Sequence, residues 1–317
     1  MVGATDATAA RWPTVPAGRG HYESWYLRAL DPSAPRGVWI RYTVTVPPGG
    51  EPTGQLWCTW FDRSAGAPRA IRVDAGPPGS GGAFWIRFGE HSFGPEGALG
   101  AATSADCSAR WSLHFSGAQE PLRHLPKPWM YTGRLPRTKL MSPVPDAVFD
   151  GSLEVDGETI HLDGWPGMVG HNWGEQHAEE WIWLSGLAFE GASSDTWLDV
   201  ACGRIRIGPV TTPWVANGVV CLDGERLRVG GLGRRPGVTA DEDGCVLRLP
   251  GSGVVVTASA SAPDEAFVDW DYADPDGWPH RVRNSSVADL SVRVVRPGRD
   301  PVDLVAPGRA AYEWGRR

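Results

Sequence analysis

Between residues 38 and 46 apolar and polar side chains take turns. Ile40, Tyr42, Val44 and Val46 fall on one side of an extended backbone, and Trp39, Arg41, Thr43 and Thr45 fall on the other. Runs of the same kind recur at 55–61, 83–88, 110–115, 152–155 and 159–162 in the first half. In the second half they lie at 181–189, 196–202, 218–222, 226–229, 246–249, 253–259, 267–272 and 287–295. Gly, Pro and Asp bound these runs, and no amphipathic helix longer than two turns interrupts them. Asp156-Gly157 predicts a two-residue hairpin turn, and Asp223-Gly224 and Asp243-Gly244 mark further tight turns. A Pro-punctuated segment, Pro121 to Pro145, crosses between strands of the first half. Six to eight strands per half suit two antiparallel barrels or sandwiches, and a barrel of about eight strands can enclose one small ligand.

The halves also echo one another. His21-Tyr-Glu23-Ser-Trp25 and His177-Ala-Glu179-Glu-Trp181 share the pattern His-x-Glu-x-Trp, 156 positions apart. An aromatic strand follows each, with Trp39 in the first and Trp197 in the second. The division expected from this is a loose Ala-, Thr- and Pro-rich N-terminus (1–20), a first barrel (21–165) and a second (166–317).

Composition narrows the picture. A chain of 317 residues buries a sizeable core, and 41 Gly and 28 Pro spread along it supply the turns of a strand-rich fold. A net charge of −7 argues against a nucleic-acid partner, because phosphate binding needs a basic face. Five widely spaced cysteines with no Cys-x-x-Cys read as reduced thiols, and so as a cytoplasmic protein. No apolar run reaches the length of a transmembrane helix, and residues 1–20 hold no secretory apolar core.

The chemistry gathers near the middle. From Gly167 to Trp183 the chain holds His171, Asn172, Trp173, Glu175, His177, Glu179, Glu180, Trp181 and Trp183. Acids and imidazoles among large aromatic rings can form a pocket that moves protons beside an apolar substrate. On a strand, His177, Glu179, Trp181 and Trp183 share a face, as do His21, Glu23, Trp25 and Leu27. A carboxyl held between tryptophan and histidine has its pKa raised by desolvation, which suits a proton donor. The alternative for Glu23 and Glu179 is an ion pair with an arginine such as Arg28 or Arg41. A tight turn at Gly170 would aim His171 and Asn172 inward; the alternative is a hydrogen-bond cluster that pins the loop between the halves. No short-range ligand motif links His171, His177 and His21, and no metal is expected.

Gly-Met-Val-Gly-His-Asn-Trp-Gly at 167–174 resembles the signature of the carotenoid-hydratase-like proteins with tandem lipocalin domains. Four other stretches share the likeness: 21–28, Leu-Pro-Arg-Thr-Lys-Leu-Met-Ser-Pro at 135–143, Asp-Gly-Trp-Pro at 163–166, and Asp-Tyr-Ala-Asp-Pro-Asp-Gly at 271–277. That group includes hydroxyneurosporene synthase, tocopherol cyclase-like proteins and natural-product cyclases. The resemblance implies an all-β protein of two lipocalin-like antiparallel barrels in tandem, with an apolar pocket and no redox cofactor. His171 and Trp173 match two residues implicated in the hydratase; Tyr272, with Asp271 or Asp274, matches more weakly.

Three functions are therefore expected. The first is a cofactor-independent cyclase or hydratase that acts on a hydrophobic terpenoid or polyene by proton transfer. Glu179, His171, Glu23 and His177 are its candidate catalytic residues, and Trp173, Trp181, Trp183, Trp25, Asn172, Tyr272 and Trp197 its candidate pocket. The second is a pericyclase acting on a polyketide or alkaloid, and the third a non-catalytic carrier of lipid or isoprenoid.

Overall fold

The structure is a computed structural model and describes residues 6–16 and 18–317. Two antiparallel sheets, each curled into a half-barrel, follow one another along the chain. The first follows the path Arg69–Gly76, Thr53–Asp62, Arg36–Val46, His21–Leu30, Glu158–Gly174, Thr138–Val155, Ser108–Ser116, Gly97–Thr103, His91–Gly94, Phe84–Phe88 and Gly79–Gly81. The second follows Glu225–Gly230, Val215–Leu222, Trp197–Arg204, Glu180–Gly186, Val302–Arg316, Pro279–Val295, Val255–Ser261, Gly244–Pro250 and Gly237–Ala240. In each sheet the opening strand lies between the next strand in sequence and the far arm of a long hairpin. In each, a short extra strand (Leu122–Arg123 or Val268–Ala273) pairs with the near arm of that hairpin. The expected duplication is thus real, with more strands than expected, twelve and ten.

Local chemistry accounts for the turns. Asp156 and Gly157 both have positive φ (51° and 82°), and so do Asp223 and Gly224 (49° and 82°), as the favoured two-residue hairpin turn requires. The runs 152–155 and 159–162 are only the tips of their strands, which extend 18 and 17 residues. Glu158–Gly174 therefore carries the expected division at 165/166 inside a strand, and the sheets part between Gly174 and Glu180. The described part of residues 1–20 is held against the first sheet and is not loose. Ala7 is buried, and Trp25 Nε1 donates to Thr8 O at 3.1 Å. Residues 1–5 and 17 lie outside the described residues.

The alternation at 38–46 sorts side chains between two environments. Ile40, Tyr42 and Val44 enter the core of the first half, together with Trp25, Leu27 and Val169. Trp39, on the opposite face, joins Trp57 and Phe61 in the apolar cluster that forms the core of the second half. The outer face of the first sheet is therefore buried against the second, which excludes water from both. Arg28 reaches across the same seam. It is fully buried, and its guanidinium donates to Ser286 O and Arg309 O at 2.9 Å each. Burial pulls it down to about 9, against the opposing effect of Asp199. The five cysteines are free, and among the described residues no helix is long and apolar enough to cross a membrane.

Replacing Arg28 with Met removes the donor to three carbonyls, those of Ser185, Ser286 and Arg309, at about 1–3 kcal/mol for each left unsatisfied, less the cost of burying the charge. Arg28→Met is expected to lower unfolding stability by about 2 kcal/mol in a denaturant titration, with both halves losing structure together.

Candidate active site

A cavity of about 370 Å³ lies between the two sheets. Tyr22, Tyr26, Trp39, Arg41 and Asn172 face it from the first half, and His177, Trp181, Trp183, Tyr272 and Glu313 from the second. The Pro-punctuated segment adds His124, Leu125, Trp129 and Leu135. Trp129, Leu135, Ile207 and Leu232 are exposed as well as cavity-lining, which gives the opening an apolar rim.

Close packing shapes the walls. A Cβ on Gly170 would meet the Tyr26 ring at 2.1 Å, and one on Gly315 would meet the Trp181 ring at 2.0 Å. Each half thus lays a cavity-lining aromatic across a glycine of the neighbouring strand, an approach that only glycine permits. The two His-x-Glu-x-Trp stretches are not equivalent here. Trp25 points into the core of the first half, whereas Trp181 and Trp183 face the cavity and Ile182 and Leu184 fill the core. A register difference of one residue exchanges the two faces of a strand.

That exchange separates two polar clusters. In the first, Glu23 and His171 are fully buried, with His171 Nε2 at 2.8 Å from Glu23 Oε1. Glu23 also accepts from the backbone N–H groups of Arg11 and Trp12, at 2.8–2.9 Å. His171 Nδ1 lies 2.7 Å from Ala7 O, so both ring nitrogens face acceptors. Trp25 stacks on this ring at 4.5 Å, and Trp173 lies beside it at 4.7 Å. His21 Nε2 is 3.5 Å from the other oxygen of Glu23. Burial alone would raise the Glu23 carboxyl, but the hydrogen bonds and charges of His171 and His21 outweigh it and hold the group down to about 2. The expected proton donor is a fixed anion, and the cluster docks the N-terminal segment.

The second cluster borders the cavity. His177 precedes the strand Glu180–Gly186, and Asp274 follows the strand Val268–Ala273. Asp274 Oδ1 accepts from the His177 backbone N–H and from Nδ1, both at 2.7 Å, and its Oδ2 accepts from His280 Nε2 at 3.0 Å. Tyr22 stacks on His177 at 3.9 Å and Trp181 at 5.7 Å. Burial carries His177 down to about 4, more than the hydrogen bond and charge of Asp274 raise it. Burial raises Asp274, but the hydrogen bonds from the two histidines outweigh this and hold its carboxyl well below the usual range. A neutral His177 therefore keeps its proton on Nδ1. Its Nε2 is buried with no hydrogen-bond partner among the described residues. Beside it, Glu313 accepts from Trp181 Nε1 at 2.8 Å and from Tyr272 Oη and Asn284 Nδ2 at 3.1 Å each.

Of the expected residues, His177, Asn172, Trp181, Trp183 and Tyr272 line the cavity. The others do not. Glu179 is taken up by Arg206 at 2.9 Å and Arg317 at 3.0 Å, the ion-pair alternative with different arginines. Trp197 is fully buried among Leu30, Leu122 and Cys221, under the Arg226 guanidinium. His171 and Asn172 sit on a strand and not on a turn, so they face opposite sides. Sequence reasoning passed over Arg41, Glu313, His280 and His124. Arg41 shares a strand face with Trp39, and Tyr312-Glu313-Trp314 carries the same mixture of acid and aromatics as residues 22–25, so both signals were present.

His177, Asp274 and His280 place three possible ligand atoms within 4.8 Å of one another, a grouping that could hold a metal ion. The donors suit a divalent ion of zinc type. Here the same atoms hydrogen-bond one another, so an ion would displace both imidazole protons. His21 and His171 belong to the other cluster.

No family model matches the chain. An uncharacterized protein of Mycobacterium tuberculosis, present in two strains, is 27% identical over 302 residues, covering 91% of this chain and 86% of its own. Among solved structures, an AttH-type protein of Nitrosomonas europaea matches with TM-score 0.55 at 13% identity, covering 100% of this chain and 99% of its own. Kievitone hydratase of Nectria haematococca matches with TM-score 0.54 at 10% identity, covering 99% and 92%. At such identities the likeness establishes the shared fold, that of lipocalin-like tandem sheets, and leaves the chemistry to the residues.

Glu23→Gln weakens the charged hydrogen bonds that dock residues 7–12. The depressed carboxyl stabilises the fold fully above the ordinary glutamate value of 4.5 and loses that contribution as pH falls to about 2. The variant is expected to lose about 3 kcal/mol at pH 7 and to show a flatter loss of stability between pH 4.5 and 2, measured by urea titration at stepped pH.

Proposed function

We propose that the protein is an acid–base catalyst that adds water to, or closes a ring in, an unsaturated and largely apolar small molecule held between its two sheets. The observation that carries this reading is His177 Nε2, an unpartnered and buried lone pair at the wall of an aromatic cavity. Asp274 fixes the tautomer and orientation of the ring, as the carboxylate does in other His–Asp pairs. A base so placed takes a proton from a bound water or hydroxyl group, and the aromatic walls exclude competing solvent. Such a step moves protons and water and calls on no redox cofactor. The fold shared with kievitone hydratase supports a hydratase reading without identifying the substrate.

The test exposes the protein to a panel of conjugated enones, prenylated phenols and polyenes in H₂¹⁸O or D₂O, with mass analysis of the products. Label uptake by the wild type and a loss of about 10²–10⁴-fold in His177→Gln, with unfolding stability retained, is the expected result. The rate should fall as pH drops through about 4, where His177 gains a proton. Both values are lowered, so stability should fall with pH: the change from His177 lies between about pH 6.5 and 4, and that from Asp274 begins only below its ordinary value of 3.8. Ring closure without label uptake and with full activity in His177→Gln would mark a pericyclase instead.

A further inference from the structure

Arg41 is a charged group on the cavity wall whose side-chain hydrogen-bond partners among the described residues are the hydroxyls of Ser24 and Tyr272, with no carboxylate paired to it. It lies 4% exposed on the strand Arg36–Val46. Its Nε and Nη2 both donate to one hydroxyl, Ser24 Oγ, at 3.0 and 2.8 Å. No carboxylate among the described residues forms an ion pair with it. Its guanidinium lies 4.3 Å from the Tyr272 ring centroid and 5.5 Å from that of Trp57. A guanidinium carries five N–H donors in a planar fork that matches a carboxylate or a polarised carbonyl. Burying such a charge without a directly paired carboxylate costs several kcal/mol. Glu313, the other charged lining residue, has its oxygens occupied by three donors and faces Arg41 across Tyr272.

We infer that Arg41 anchors an oxygen acceptor of the substrate, so that the ligand is an unsaturated acid or conjugated carbonyl compound and not a pure hydrocarbon. Tyr272 fixes the distance between the anchor and the base, since Arg41 lies over its ring and His177 stands 5.9 Å from the same ring. This deepens the reading of His177 as base and rests on it. For a conjugated carbonyl the step balances without any further reagent. His177 Nε2 takes a proton from water while the hydroxyl oxygen bonds to the β-carbon. The C=C electron pair moves toward the carbonyl oxygen, where Arg41 stabilises the enolate. The proton held by His177 then passes to the α-carbon, and water has added across the double bond.

The test compares three probes of one shape by quenching of tryptophan fluorescence: 3-(2-naphthyl)acrylate, its methyl ester, and 2-vinylnaphthalene. The wild type should bind the acrylate most tightly. Arg41→Met should weaken acrylate binding by about 10–100-fold, the range expected when a charge-assisted hydrogen bond is lost. Binding of 2-vinylnaphthalene should be unchanged, which also shows that the variant is folded. Arg41→Lys should recover part of the acrylate affinity. The readout is binding and not turnover, so failure of the anchor and failure of the base assignment are read separately. Equal weakening of all three probes in Arg41→Met, no weakening of any, or absence of acrylate binding by the wild type overturns the inference.

Discussion

The Asp274 carboxylate is the point through which fold and site depend on each other. It sits just past the strand Val268–Ala273 and accepts both the backbone and the ring of His177, which lies in the short link between the two sheets. One buried anion thus fixes where the second half begins, which nitrogen of His177 carries the proton, and where His280 rests. Buried carboxylates persist only when their oxygens are satisfied, and here three N–H groups do so. The remaining lone pair of His177 is a consequence of that satisfaction. The same constraint that holds the link in place leaves that lone pair unpaired at the cavity wall.

The protein uses one set of residue types for two purposes. Glu23 with His171, and Asp274 with His177, are both buried carboxylate–imidazole pairs flanked by aromatic rings. They differ in what meets the other imidazole nitrogen. His171 Nδ1 finds the Ala7 carbonyl, so the pair is closed and works as a clasp. His177 Nε2 finds no partner among the described residues, so the pair is open. The difference follows from strand faces, because Glu23 and His171 lie on the side of the first sheet opposite Tyr22, Tyr26 and Asn172, which face the seam. Arg41 faces the seam as well, and supplies the positive charge that the open pair lacks.

Much of the fold was legible in the sequence. Period-two alternation located most strands, Asp-Gly pairs located two hairpin turns, and the repeated His-x-Glu-x-Trp pointed to a duplicated chain. The strand Glu158–Gly174 was harder to read, because its glycines and Pro166 look like loop chemistry. Long-range pairing with His21–Leu30 keeps it extended regardless. The site was legible as a neighbourhood and not as an arrangement. His177, Trp181, Trp183, Asn172 and Tyr272 were readable from the central stretch and the family likeness. Glu179 and Trp197 were misplaced, since a short repeat fixes spacing along the chain and not which face of a sheet each residue joins. Arg41 and Glu313 were passed over because their importance comes from partners distant in sequence, Tyr272 for Arg41 and Trp181 for Glu313.

The account rests on the protonation state of His177, and histidine side-chain ¹⁵N NMR reads that state directly. At pH 7 the ring of His177 should be neutral, with its proton on Nδ1 and an unprotonated Nε2, and it should stay so until the pH approaches about 4. A charged ring at pH 7, or a proton on Nε2, would contradict the assignment of His177 as the base.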